Sequence, residues 1–161
     1  QLLKVFGSQR IIAVDIDEGK LAMAKNSGAT DVILSSKINP VEEILRITGN
    51  AGVDAAFEAV GIEQTINSAV NSLKKGGILV LVGNLSPRVN VPLQTIITRE
   101  ITVKGSCASA GEYDKCLELI SQGRVDVESL ISAKVSLEEG ASYIQRLYKK
   151  EPGLMKVILK P

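Results

Sequence analysis

The sequence predicts an α/β fold built on a doubly wound parallel sheet, and three observations carry that prediction. Short apolar, β-branched runs alternate with helical patterns, as βαβ units require. The connections are short and stop on glycine, as at Gly7, Gly28, Gly49 and Gly123. Of 161 residues, 45% are hydrophobic but only 3% aromatic, so the core is aliphatic, as in parallel sheets packed between helices.

The elements follow in order. Gln1–Phe6 has a helical apolar pattern and ends at Gly7. Arg10–Asp15 runs Ile-Ile-Ala-Val before Asp15 and reads as a strand buried on both faces. Asp17 suits the N-cap of the next helix, whose pattern (Leu21–Ser27) stops at Gly28. Asp31–Leu34 is a short strand, and Pro40 sits at the first turn of a helix over Val41–Thr48. Val53–Ala59 is the next strand and Ile62–Lys75 an amphipathic helix with Ile66, Ala69, Val70 and Leu73 on one face. Gly76-Gly77 ends that helix before the apolar strand Ile78–Val82, which closes at Gly83. After an irregular stretch over Asn84–Val91 comes a brief helix, Leu93–Thr98. Glu100–Cys107 then alternates like a half-exposed or edge strand. Glu112–Gln122 reads as a helix with Cys116, Leu117 and Ile120 inward. It is followed by an apolar segment at Leu130–Val135, a helix at Leu137–Lys150 and a strand at Met155–Leu159. Helices dominate after Cys107. A boundary is therefore expected near Ala108, with one domain over 1–107 and a second segment over 108–161.

One residue stands out chemically. Asp15 closes a parallel strand, where a carboxylate can bind the two hydroxyls of an adenosine ribose; the plainer alternative is that it begins a turn. Composition narrows the other possibilities. Net charge is +1 with no run of one sign, so no nucleic-acid surface is announced. No apolar run is long enough to span a bilayer. The chain has no histidine, which removes Ser-His and Cys-His nucleophile pairs and His-ligated zinc from these residues. Its two cysteines, Cys107 and Cys116, match no metal or disulfide spacing and read as small buried hydrophobes. A reducing, cytoplasmic setting is expected.

Several stretches together resemble the zinc-dependent medium-chain alcohol and polyol dehydrogenases: IIAVDIDEGKLAMAKNSGA (Ile11–Ala29), GVDAAFEAVG (Gly52–Gly61), LKKGGILVLVG (Leu73–Gly83) and REITVKGSC (Arg99–Cys107). The C-terminal LISAKVSLEEG and LMKVILKP are similar to the closing segment of the same family, and sorbitol- or polyol-type members are the nearest in pattern. The resemblance implies a Rossmann-type sheet, NAD as cofactor and a small alcohol or polyol as substrate. It also implies a homo-oligomer, dimer or tetramer, formed through the strand Glu100–Cys107.

The resemblance further implies roles for individual residues. Asp15 would bind the ribose, with Lys20 against it. Val60-Gly61 and Val82-Gly83 would line the nicotinamide side of the crevice. The carbonyls of Val82 and Ser106 and the N–H of Ala108 would hold the carboxamide. Lys156 falls where the family has a basic residue near the pyrophosphate, although an ordinary solvated lysine reads equally well there. Glu58 reads as a carboxylate placed for structural hydrogen bonds.

No G-x-G-x-x-G occurs, and no Cys/His/Glu zinc set is present. The chain is therefore expected to be the C-terminal part of such an enzyme, without catalytic residues or metal of its own, zinc belonging to a catalytic domain outside it. With strand order 3-2-1-4-5-6, the strand expected between Arg10–Asp15 and Val53–Ala59 is absent, so those two should not pair and the chain should not be an autonomous monomer. A non-catalytic dinucleotide-sensing domain is the alternative function. A methyltransferase is disfavoured because Val60-Gly61, rather than polar groups, follows the strand Val53–Ala59.

Overall fold

The computed structural model describes residues 1–161. Its elements are α1 (Leu2–Val5), β1 (Ile12–Asp15), α2 (Glu18–Asn26), β2 (Asp31–Leu34), α3 (Pro40–Ile47), β3 (Val53–Glu58), α4 (Glu63–Ser72), β4 (Leu73–Leu81), α5 (Leu93–Thr98), β5 (Thr102–Gly105), α6 (Tyr113–Ser121), β6 (Ile131–Ser136), α7 (Gly140–Tyr148) and β7 (Lys156–Lys160). The alternation is that of an α/β fold. Its hydrogen-bonded ladders are β1-β2, β3-β4-β5 and β6-β7, and β3, β4 and β5 run parallel. In the expected numbering these are ladders 3-2 and 4-5-6. β1 does not pair with β3, as the expected order requires.

Local chemistry explains the starts of α2 and α3. The Asp17 carboxylate accepts from the Lys20 N–H at 3.1 Å, and the Asn39 side chain accepts from the Val41 N–H at 3.0 Å, with Pro40 in the first turn of α3. Each cap satisfies one of the N–H groups that a helix start leaves unpaired.

Contacts group the chain into two compact units. One comprises residues 14–16 and 33–110. There α4 packs on β3 and β4 and against α3 and α5. Its core is Ile66, Val70, Leu73, Leu79 and Ile101, with Val53, Ala56, Ala69, Leu81, Val89 and Ile96 packed around them. Burying an aliphatic side chain of this size contributes about 1.5–3 kcal/mol, which ties α4 to the sheet.

The other unit comprises residues 1–13, 17–32 and 111–161. Parallel strands β6 and β7 pair there, and the Ser132 hydroxyl receives the Met155 N–H at 2.8 Å. The Gln1 amide brackets Asp126, accepting its N–H and donating to its carbonyl, while Arg124 donates to the Val5 carbonyl at 3.1 Å.

Three expectations are corrected. First, Leu73 is not helical. It leaves α4 with extended angles (φ −72°, ψ 147°) and opens β4, pairing with Val53. The ladder then jumps to Ala55–Ile78, so residues 74–77 bulge against Asp54 alone, with Gly76 at φ +72°. The bulge lets Leu73 and Leu79, both almost fully buried, enter one core from one strand.

Second, Cys107 and Cys116 are exposed rather than buried. Cys107 lies beyond the end of β5, where the chain has left the ladder. Third, α6 turns Leu119 inward, whereas Cys116, Leu117 and Ile120 face out. The helix is rotated away from its apolar stripe because only Leu119 meets the interior of its unit.

Candidate functional site

The carboxyl ends of parallel β3, β4 and β5 share one edge of their sheet, the edge at which open α/β sheets receive ligands. They are locked stepwise. The Glu58 carbonyl accepts from both Val82 N–H (2.8 Å) and Gly83 N–H (3.0 Å), and the Leu81 carbonyl accepts from Ser106 N–H (2.9 Å). Where the chain leaves β3 and β4, Gly61 and Gly83 meet backbone to backbone. An added Cβ on Gly83 would lie 2.1 Å from the Gly61 nitrogen, and one on Gly61, at φ +83°, would lie 2.5 Å from the Asn84 nitrogen. Only glycine fits at either place. The Gly61 carbonyl accepts from Ser86 N–H at 2.9 Å. The Glu63 carboxylate takes the backbone N–H of Asn90 at 3.1 Å and its side-chain amide at 3.0 Å.

Glu58 is the one charged residue that the fold buries, at 4% exposure. Its Oε1 accepts from Val60 N–H and Gly61 N–H, each at 2.9 Å, and from the Thr65 hydroxyl at 2.7 Å; Oε2 lies 3.0 Å from the Gly61 nitrogen. Desolvating a carboxylate costs several kcal/mol, and hydrogen bonds to a charged acceptor contribute about 1.5–3 kcal/mol each, so this donor set is what makes the burial tolerable. The expectation of a carboxylate placed for structural hydrogen bonds holds. Thr65, in the first turn of α4, carried no expectation. Its signal is the Glu58–Thr65 spacing, which brings the start of a helix back to the strand end it follows.

The site residues read from the sequence lie as follows. Val60 (47% exposed) and Val82 (49%) flank the Gly61–Gly83 contact and show their side chains to solvent. Ser106 and Ala108 follow β5 and are exposed, Ala108 at φ +50°. The structure therefore gathers Val60, Gly61, Val82 and Gly83, with Ser106 tied to Leu81. Asp15 ends β1, half-buried; its carbonyl accepts from the Ser35 N–H at 2.9 Å and the Ser35 hydroxyl at 3.2 Å. Lys20 is exposed in the first turn of α2, and Lys156 is exposed at the start of β7, its N–H 3.4 Å from the Ser132 hydroxyl.

At its tightest point this edge carries no Cβ atoms, because each glycine makes room for the backbone of the other loop. For zinc the residues do not fit, since no three His, Cys, Asp or Glu side chains come together. Residues 1–122 match the family model described as zinc-binding dehydrogenase. The chain belongs to that family.

Among curated relatives, an L-idonate 5-dehydrogenase of Vitis vinifera is 34% identical over 140 residues, spanning 84% of this chain and 38% of its own. A sorbitol dehydrogenase of Bacillus subtilis is 34% identical over 160 residues, spanning 98% and 45%. The crystal structure of 2R,3R-butanediol dehydrogenase from Bacillus subtilis superposes with a TM-score of 0.90 at 28% identity, covering 99% of this chain and 46% of that one. The fold is thus that of about half of such an enzyme, and the chain spans less than half the length of these curated relatives. No helix is long and apolar enough to cross a membrane.

Proposed function

We propose that this chain is the NAD(H)-binding portion of a dehydrogenase that transfers a hydride between a secondary alcohol or polyol and nicotinamide. The observation that carries the reading is the Gly61–Gly83 contact at the carboxyl ends of β3 and β4, a side-chain-free wall held by Glu58. Nicotinamide supplies the hydride acceptor. The residues here bind and orient it.

Val60-Gly61 and Val82-Gly83 line the nicotinamide side. The carbonyls of Val82 and Ser106 and the N–H of Ala108 hold the carboxamide. Asp15 accepts from the adenosine ribose with Lys20 beside it, and Lys156 offers charge to the pyrophosphate. NAD is favoured over NADP because the Asp15 carboxylate repels a 2′-phosphate and no arginine occurs in Ile16–Glu18 to offset it. Residues 1–107 act as the dinucleotide-binding part and 108–161 as a segment of the catalytic domain. Zinc is held outside this chain, the protein works in the cytoplasm, and two copies pair along Glu100–Cys107. The names of the sorbitol and L-idonate relatives support the polyol class.

Thermal shift of the full-length protein with NAD, NADP and S-adenosylmethionine tests this. A ligand at 100 times its Kd adds about 2.7 kcal/mol of stability, so NAD should raise Tm most. Stabilisation by S-adenosylmethionine with no response to NAD would overturn the reading.

A further inference from the structure

The structure assigns Glu58 as a positioning residue for the dinucleotide: its carboxylate sets the turn after β3, which packs against the turn after β4 that its backbone carbonyl holds. This rests on the NAD(H)-binding reading above. The side chain of Glu58 holds the turn after β3 through Val60 N–H and Gly61 N–H, while its carbonyl holds the turn after β4 through Val82 N–H and Gly83 N–H. All four N–H groups belong to the residues read as lining the nicotinamide side. With those N–H groups committed inward to one residue, the peptide planes of both turns are set, and with them the directions of the Val60 and Val82 carbonyls.

No cation contacts the Glu58 carboxylate; its partners are neutral donors. A glutamine carbonyl at the Oε1 position keeps the three donors there, but its amide N–H then faces Gly61 N–H at the Oε2 position and the negative charge that strengthens each bond is gone. Helix α4 has no cap of its own, since Ile62 occupies the N-cap and offers no side-chain acceptor. The Thr65 hydroxyl therefore joins the start of α4 to the same carboxylate, so the helix and the turn after β3 share one anchor.

The test uses the full-length protein, with Glu58→Gln, Glu58→Asp and Thr65→Val, and NADH fluorescence on binding as the readout. Glu58→Gln should weaken NADH about tenfold while leaving the KM for the alcohol unchanged, the loss of charged hydrogen bonds being of that size. Thr65→Val should lie between, since it removes one donor and keeps the carboxylate. Glu58→Asp, which retains the charge on a shorter stem, should recover part of the loss. Hydrogen exchange should rise first at residues 60–61, whose N–H groups the carboxylate holds, and less at 82–83, whose N–H groups bind the backbone carbonyl that every variant keeps. NADH affinity equal to wild type in Glu58→Gln would overturn the assignment, as would equal losses toward NADH and alcohol with exchange rising throughout the chain. If Glu58→Gln does not fold, unaltered NADH affinity in both Thr65→Val and Glu58→Asp overturns it instead. A wild-type protein that does not bind NADH at all refutes the underlying reading rather than the role of Glu58 within it.

Discussion

Gly61 and Gly83 stand so close that a methyl group on Gly83 would sit 2.1 Å from the Gly61 nitrogen, well inside van der Waals contact. Backbone atoms form the obstacle, so no side-chain rotation relieves it. Gly83→Ala should therefore destabilise the protein by about 3 kcal/mol, the upper part of the range for overpacking. It should also abolish dinucleotide binding by parting the loops. Gly105→Ala is the control: it meets nothing within 4 Å and lies outside the left-handed region, so it should change stability by less than about 0.5 kcal/mol. Urea titration compares the two, and equal midpoints would contradict this account.

Asp15 closes β1 half-buried, with its backbone carbonyl engaged by Ser35. Asp15→Ala keeps that backbone bond and removes only the carboxylate. In the full-length enzyme it should lower kcat/KM for NAD about tenfold and leave that for NADP level or higher, through loss of the ribose bonds and of the phosphate repulsion. A wild-type enzyme that uses both cofactors equally would refute the assignment.

All four residues of β5 are exposed, and β5 pairs on one side only, with β4. Ser106 N–H donates to Leu81, so by the two-residue alternation Lys104 and Thr102 turn their N–H groups toward β4 while Val103 turns its own toward the open edge. Val103→Pro should thus spare the β4 ladder and block pairing with a second copy. Light scattering should show the full-length protein shifting from dimer to monomer; intact dimers would place the interface elsewhere.

In α7, Arg146 donates to both oxygens of Glu151 at 2.6 and 2.7 Å and stacks 4.2 Å from the Tyr143 ring centroid. The guanidinium holds the Glu151 carboxyl below the usual carboxylate range. A carboxylate whose folded pKa is depressed stabilises the fold above its unfolded pKa of about 4.3 and loses that contribution as pH falls through the folded value. Wild type should therefore exceed Glu151→Gln in urea midpoint at pH 7, by a small margin suited to a solvent-exposed pair. The gap should narrow as pH falls below the unfolded value, and a gap that stays constant down to the acid limit of folding would refute the linkage.

Whatever depends on neighbours along the chain was legible in the sequence. β2 over Asp31–Leu34 and α5 over Leu93–Thr98 fall where the pattern places them, and the Asp17 cap and Pro40 turn form as expected, because hydrophobic period, capping oxygens and proline act within a few residues. The composition announced a parallel aliphatic sheet for the same reason. Its statement concerns which side chains can be buried on both faces of a strand, not where the strands go.

What only the tertiary structure decided concerns pairs far apart in sequence. Leu73 continues a helical stripe in the sequence, yet pairing with Val53 draws it into β4 because one core can then hold it beside Leu79. Cys116, Leu117 and Ile120 form an apolar stripe on α6, yet Leu119 is the residue that finds an interior. The Gly61–Gly83 contact and the four N–H groups around Glu58 join the ends of two different strands. Residue identity says that a glycine can approach backbone closely and that a buried carboxylate needs donors. Which backbone and which donors were settled when β3 and β4 aligned in parallel and brought their carboxyl ends to the same edge.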